Sequence, residues 1–211
     1  MSNSILSVKS LKKRFGGLEA VNVDSFELYE GEITSLIGPN GAGKTTFFDL
    51  ITRFQSADSG SIFLNEKNVT KLNSYKLARL GMVRTFQLTR VFDRMSVYEN
   101  MKFAGSSIKN EGFLKSLIQT KTLKQQEDHL NVKIDETLKL LNLIEMKDSY
   151  ARELSGGQKK LLELGRSLMK NPKILLLDEP LAGVNPKLSE ELLEIILNLN
   201  SQGINILMVE H

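Results

Sequence analysis

Apolar and polar residues first arrange themselves as strands. Ile5 to Phe15 mixes apolar with basic positions, and in Val21 to Leu28 the residues Val21, Val23 and Phe26 alternate with polar neighbours, so two early strands are predicted. Glu30-Gly31 reads as a turn. Ile33 to Ile37 is then a short apolar strand that runs into a glycine-rich stretch, Gly38 to Gly43, and a helix from Lys44 to about Arg53. A turn at Asp58 to Gly60 leads to a strand over Ser61 to Leu64, a helix near Ser74 to Leu80 and an apolar strand over Met82 to Phe86.

From Gln87 to Asn171 the pattern changes. Strand signals thin out, and Leu130, Ile134, Leu138, Leu141 and Ile144 recur at helical spacing along one face, as in an inserted helical subdomain. Within it Lys109, Lys115, Lys121 and Lys124 read as a solvated surface, with a face toward lipid head groups as the alternative. The α/β alternation resumes with a strand over Lys173 to Leu177, a helix from Pro186 to about Asn200 with proline in its first turn, and a strand over Asn205 to Val209. The expected organisation is a single domain over residues 1–211. Its core is 1–86 and 172–211, with an antiparallel β portion at the N-terminus, and its inserted helical subdomain is 87–171.

Composition narrows the chemistry. The 211 residues, 41% of them hydrophobic, are enough for a sizeable core without covalent staples. There is no cysteine, so disulfides and thiolate zinc sites are excluded, and with two histidines far apart in sequence, His129 and His211, a histidine-rich metal site is not expected. Twenty-eight Lys and Arg against twenty-five Asp and Glu give a net charge of +3 spread along the chain, which does not point to nucleic acid. No stretch approaches the roughly 20 apolar residues that cross a bilayer.

Gly38-Pro39-Asn40-Gly41-Ala42-Gly43-Lys44-Thr45 fits G-x-x-x-x-G-K-[ST] between a strand and a helix. A phosphate chain packs several negative charges into a small volume, and backbone N–H groups without bulky side chains can surround it. The helix behind adds its partial positive charge. Lys44 would reach the outer phosphates and Thr45 would offer a hydroxyl to Mg²⁺, with Thr46 beside it.

Ile174 to Leu177 ends in Asp178-Glu179, two acids where a buried parallel strand opens into its loop. Asp178 suits metal coordination. Glu179, pointing elsewhere, suits a base or water-orienting group. Leu154-Ser155-Gly156-Gly157-Gln158 precedes a helix carrying Leu161, Leu162, Leu164 and Leu168, and Ser155 and Gln158 have capping-box spacing. Taken alone this is a well-capped helix. Beside two phosphate motifs it is also a second anion site, open to a partner's phosphate.

GPNGAGKT at 38–45, LSGGQ at 154–158 and ILLLDEP at 174–180, in that order, resemble the ATP-binding subunits of ABC transporters over nearly the whole chain. The resemblance implies a P-loop NTPase (RecA-like) α/β core, ATP and Mg²⁺ as cofactors, and ATP hydrolysis coupled to transport. It also implies a head-to-tail dimer, with itself or a paralogous ATPase subunit. Each ATP would lie between the phosphate loop of one subunit and the Ser155 to Gln158 segment of the other, with Ser155 and Gly157 contacting the γ-phosphate. By the same resemblance Phe15 stacks on adenine, Gln87 touches magnesium or water, and His211 contacts the γ-phosphate. Asn185 stands where many members carry aspartate. His129 matches no motif of the family.

Arg14-Phe15-Gly16-Gly17, Gly81 to Gln87 and Gly183-Val184-Asn185-Pro186 resemble the ATPases of branched-chain amino acid importers. That subfamily implies permease subunits as partners, a solute-binding protein acting indirectly, and a peripheral place on the cytoplasmic face of the plasma membrane. Importers of urea or short-chain amides and lipid exporters share these motifs. A soluble ABC-type ATPase and a nucleotide-binding regulatory module without turnover are alternatives of another class. Family members continue for a further strand and helices beyond the position of His211, so the resemblance implies a C-terminus shortened relative to them.

Overall fold

The computed structural model describes residues 3–85, 91–106 and 120–210, which fall into two compact units: Met1–Gln87 with Pro172–His211, and Leu88–Asn171. In the first unit β1 (Ser4–Phe15) and β2 (Leu18–Tyr29) form a long antiparallel hairpin. β3 (Ile33–Ile37) leads into α1 (Lys44–Ile51), and β4 (Ser59–Leu64) with the two-residue β5 (Lys67–Asn68) completes an antiparallel sheet in the order β2-β1-β4-β5. After α2 (Ser74–Arg79) and β6 (Met82–Arg84) this unit resumes with β7 (Ile174–Asp178), α6 (Pro186–Ser201) and β8 (Asn205–Glu210). The second sheet is parallel throughout, in the order β3-β8-β7-β6.

Burial explains the two kinds of strand. β7 is buried at all five positions, Ile174 to Asp178, because it runs between β6 and β8 in the parallel sheet. β1 and β2 bury only part of their residues, among them Leu6, Val8, Leu11 and Leu28. Helix α1 contributes Phe47, Phe48, Leu50 and Ile51 to a core that also takes in Ile62, Ile174, Leu176, Leu207 and Val209. Phe47 meets Phe26 of β2 edge to face, ring centroids 5.3 Å apart. The mixed parallel and antiparallel α/β architecture is that of the expected P-loop core.

Register sets where chemistry can gather. In the parallel sheet Ile37 lies opposite Glu210, and Asp178 lies opposite Val209. The carboxyl ends of β3, β8 and β7 thus finish at one level, and ligands of open α/β sheets bind beyond such ends.

In the second unit α3 (Val97–Gly105) starts at a capping box: Glu99 N–H donates to Ser96 Oγ and Ser96 N–H to Glu99 Oε2. The side chain of Asn100, fully buried, accepts from Phe92 N–H and donates to the carbonyls of Phe92 and Ser96. α4 (Thr120–Leu140) and α5 (Gly156–Leu168) pack with α3. Lys133 of α4 donates to the Leu168 and Met169 carbonyls at the end of α5, and burial pushes its ammonium below the usual lysine range.

Several boundaries differ from the sequence expectation. α1 stops at Ile51 because Arg53 takes a left-handed φ of 60°. α4 stops at Leu140 with Asn142 at φ 52°, so Ile144 lies in a separate 3-10 turn and Leu143, not Ile144, is the buried residue there. The strand predicted over Met82 to Phe86 is observed over Met82 to Arg84, and Phe86 lies outside the described residues, as do Lys109 and Lys115.

Candidate functional site

The loop from Gly38 to Gly43 joins β3 to α1 at the carboxyl end of the parallel sheet. Gly41 and Gly43 have φ of 82° and 84°, a left-handed conformation that turns successive N–H groups inward. Gly43 is the N-cap of α1 and supplies no side-chain acceptor, and no acid stands in the first turn. The start of α1 therefore has no side-chain cap at Gly43 and no acid within its first turn. An anion is the natural complement. Lys44 Nζ donates to the carbonyl oxygens of Gly38 and, at 3.0 Å, Pro39, which holds the ammonium against the loop.

A cleft of about 380 Å³ runs over this loop, and Phe15, Asn40, Ala42, Lys44, Thr45 and Glu179 are on its walls. Thr46 also borders it. Phe15 ends β1 with 47% of its surface exposed and Lys13 Nζ 5.5 Å from its ring centroid. That end of β1 is anchored by Asp58, which accepts from Lys13 Nζ at 2.8 Å and from Arg14 N–H at 2.7 Å. The Lys13 ammonium, then the Arg14 amide, hold the Asp58 carboxyl below its usual range.

The two acids after the apolar run diverge as their adjacent positions require. Asp178 is the last residue of β7 and is 3% exposed. Its Oδ2 accepts from Arg84 Nη2 at 2.7 Å, while Oδ1 is buried with no hydrogen-bond partner among the described residues. Glu179, also buried, has φ 49° and donates its N–H to the Val209 carbonyl at 3.1 Å. A left-handed glutamate is a strained choice, and it sets this residue on the wall of the cleft that Lys44 lines.

A hard divalent cation fits these donors. An incompletely bonded buried carboxylate oxygen on Asp178 and the Thr45 hydroxyl are oxygen ligands of the sort Mg²⁺ takes alongside substrate phosphates. No group of three or more His, Cys, Asp or Glu suited to a metal occurs among the described residues, so a cation held by protein side chains alone is not indicated there.

Ser155 to Gln158 belongs to the second unit. Ser155 is the N-cap of α5, its Oγ accepting from Gln158 N–H at 3.3 Å and its N–H donating to Gln158 Oε1 at 2.9 Å. Ser155 and Gly156 are exposed, while Leu161, Leu162, Leu164 and Leu168 are buried. The capping box and an open helix start thus coexist. Asn185 accepts from Leu188 N–H at 2.9 Å as the N-cap of α6, with Pro186 in the first turn, a task that asparagine performs as well as aspartate. Gln87 and His211 lie outside the described residues. Sequence reasoning missed Arg84, Asp49 and Glu210, the last of which accepts from Leu181 N–H at 3.3 Å and ties the loop after Glu179 to the end of β8.

Known proteins share this arrangement. A family described as ABC transporter matches residues 21–182. The chain is 41% identical over 207 residues to the probable branched-chain amino acid transport ATP-binding protein LivG of Archaeoglobus fulgidus, covering 98% of this chain and 79% of that protein. It is 41% identical over 212 residues to the high-affinity branched-chain amino acid transport ATP-binding protein LivG of Escherichia coli strain K12, covering 100% and 83%. Among solved structures, an ATP-binding cassette of an ABC transporter in its ADP conformation superimposes with a TM-score of 0.83 at 38% identity, over 99% of this chain and 81% of that one. With the glycine-rich loop, the strand-end acids and a match over most of its length, the chain belongs to the ABC transporter family of ATP-binding cassettes.

Proposed function

We propose that this chain is the ATP-hydrolysing subunit of an importer of branched-chain amino acids. The observation that carries the reading is the cleft in which Phe15, Lys44, Thr45 and Glu179 face one space, in a chain 41% identical over its full length to subunits named for that transport. The adenine ring stacks on Phe15. The phosphates rest on the amides of Gly38 to Thr46, with Lys44 turning from the loop carbonyls to the outer phosphates. Thr45 and Asp178, with Gln87, would hold Mg²⁺, which would supply charge neutralisation on the phosphates when bound.

Glu179 orients a water and takes its proton as the water oxygen bonds to the γ-phosphorus and the bond to the ADP oxygen breaks. His211 and the Ser155 to Gln158 segment of a second subunit, through Ser155 Oγ and the amides of Gly156 and Gly157, stabilise the charge that develops on the γ-phosphoryl oxygens. Two copies, or one copy and a paralogue, close head to tail around two ATP molecules and reopen after hydrolysis. No helix among the described residues is long and apolar enough to cross a membrane. In this reading permease subunits supply the transport path and hold this chain at the membrane's cytoplasmic face.

The test is to co-purify the gene product with its permeases, reconstitute them in vesicles and measure phosphate release with each solute-loaded binding protein. Stimulation by leucine, isoleucine or valine supports the reading. Stimulation only by urea or a short-chain amide replaces the cargo, and release that no solute affects removes the importer.

A further inference from the structure

Arg84 stands at the end of β6 with its side chain 6% exposed, and its guanidinium meets two carboxylates from two other elements. Nη2 donates to Asp178 Oδ2 at 2.7 Å, between side chains 6% and 1% exposed, and Nη1 donates to Asp49 Oδ1 of α1. The rings of Phe48 and Phe54 lie 5.5 and 5.8 Å from the guanidinium carbon and restrict its swing. A planar fork with two charged ends bound fixes the angle between its partners, which an ammonium on a flexible stem does not.

The geometry acquires a purpose from the position of Asp49 on its helix. Asp49 follows Thr45 by four residues on α1, so the two share a helix face. A group that ties Asp178 to Asp49 therefore also sets Asp178 relative to Thr45. The charge of Arg84 is matched by Asp49 as well as by Asp178, so the guanidinium orients Asp178 without consuming its charge. Oδ2 is engaged, and Oδ1 is left buried and, among the described residues, without a hydrogen-bond partner. An acceptor in that state is costly unless something positive completes it.

We propose that Arg84 is a positioning residue for the divalent cation: it clamps Asp178 by one oxygen and anchors it through Asp49 to the helix that carries Thr45, so that Asp178 Oδ1 and the Thr45 hydroxyl are presented together. This rests on the nucleotide site assigned above. It predicts that the cation senses Arg84 far more than the nucleotide does. Residues that orient metal ligands typically change metal affinity about 10- to 100-fold when removed.

The experiment uses the full chain, ADP as nucleotide and Mn²⁺ as a paramagnetic probe. ADP affinity is measured by calorimetry in EDTA, and Mn²⁺ affinity by electron paramagnetic resonance in saturating ADP. Arg84→Ala should bind ADP in EDTA within about twofold of the parent while its Mn²⁺ dissociation constant rises about tenfold or more. Arg84→Lys should recover part of that loss. Asp49→Asn, which retains the guanidinium, should weaken Mn²⁺ about threefold and add little in the Arg84→Ala background. Parental Mn²⁺ affinity in Arg84→Ala, or equal losses of ADP and Mn²⁺, overturns the proposal. Should Arg84→Ala not fold, parental Mn²⁺ affinity in Asp49→Asn does the same. A Lys44→Ala control that binds ADP as well as the parent overturns instead the nucleotide site itself.

Discussion

Gly43 lies so close to Ala20 that a Cβ built on the glycine would sit 2.1 Å from the Ala20 carbonyl oxygen, with that carbonyl carbon 3.3 Å away. The obstacle is backbone of β2, which cannot rotate aside as a side chain would. Gly43 also has φ 84°, where an L-residue costs about 1–2 kcal/mol before any contact is counted. Gly43→Ala should therefore lower stability by more than about 2 kcal/mol, or about 4–8 °C in Tm for a chain of this length, and should weaken ATP binding with it. Thermal unfolding and calorimetry check both effects, and an unchanged Tm would show that β2 and the loop are not in contact.

Among the described residues, Lys44 supplies the one side-chain cation on the cleft wall formed with Phe15, Thr45 and Glu179. A charged hydrogen bond is worth about 1.5–3 kcal/mol, so Lys44→Ala should weaken ATP binding by about 10- to 100-fold with little change in Tm. Equal affinity in the variant, read by fluorescence of a labelled ATP, would move the phosphates elsewhere.

Glu179→Gln keeps the size and the left-handed backbone of the residue but removes the proton acceptor. Turnover should fall about 10²- to 10⁴-fold while ATP binding changes less than about threefold. Single-turnover phosphate release reads the first quantity and equilibrium binding the second.

Asn185 bonds Leu188 N–H at 2.9 Å as the cap of α6. Asn185→Ala should cost about 1 kcal/mol in urea unfolding, and Asn185→Asp only a few tenths, because the carboxylate accepts the same bond. Equal costs for the two would mean that the side chain has another task.

Much of this site can be read from the chain because its parts stand at the ends of patterned segments. The apolar run Ile174 to Leu177 marks a strand buried on both faces, and the acid that follows must be where that strand ends. The loop before Lys44 is legible for the same reason, since glycines between an apolar strand and an amphipathic helix leave few conformations. Arg84 is different. It meets Asp178 across 94 positions, through parallel pairing of β6 with β7, and no local pattern records a partner so distant. β5 has two residues and is too short to alternate. α3 carries its own local signal, the Ser96 to Glu99 capping box, within a stretch dominated by a longer helical periodicity.

The most direct test of the account is whether ATP joins two copies through Ser155. The Glu179→Gln protein should run as a monomer alone and as a dimer in saturating ATP by size-exclusion chromatography with light scattering. Adding Ser155→Ala should abolish the dimer yet cost the monomer only the roughly 0.5–2 kcal/mol of a lost helix cap. A Glu179→Gln protein that binds ATP and stays monomeric, or a dimer indifferent to Ser155, would contradict the shared-nucleotide mechanism.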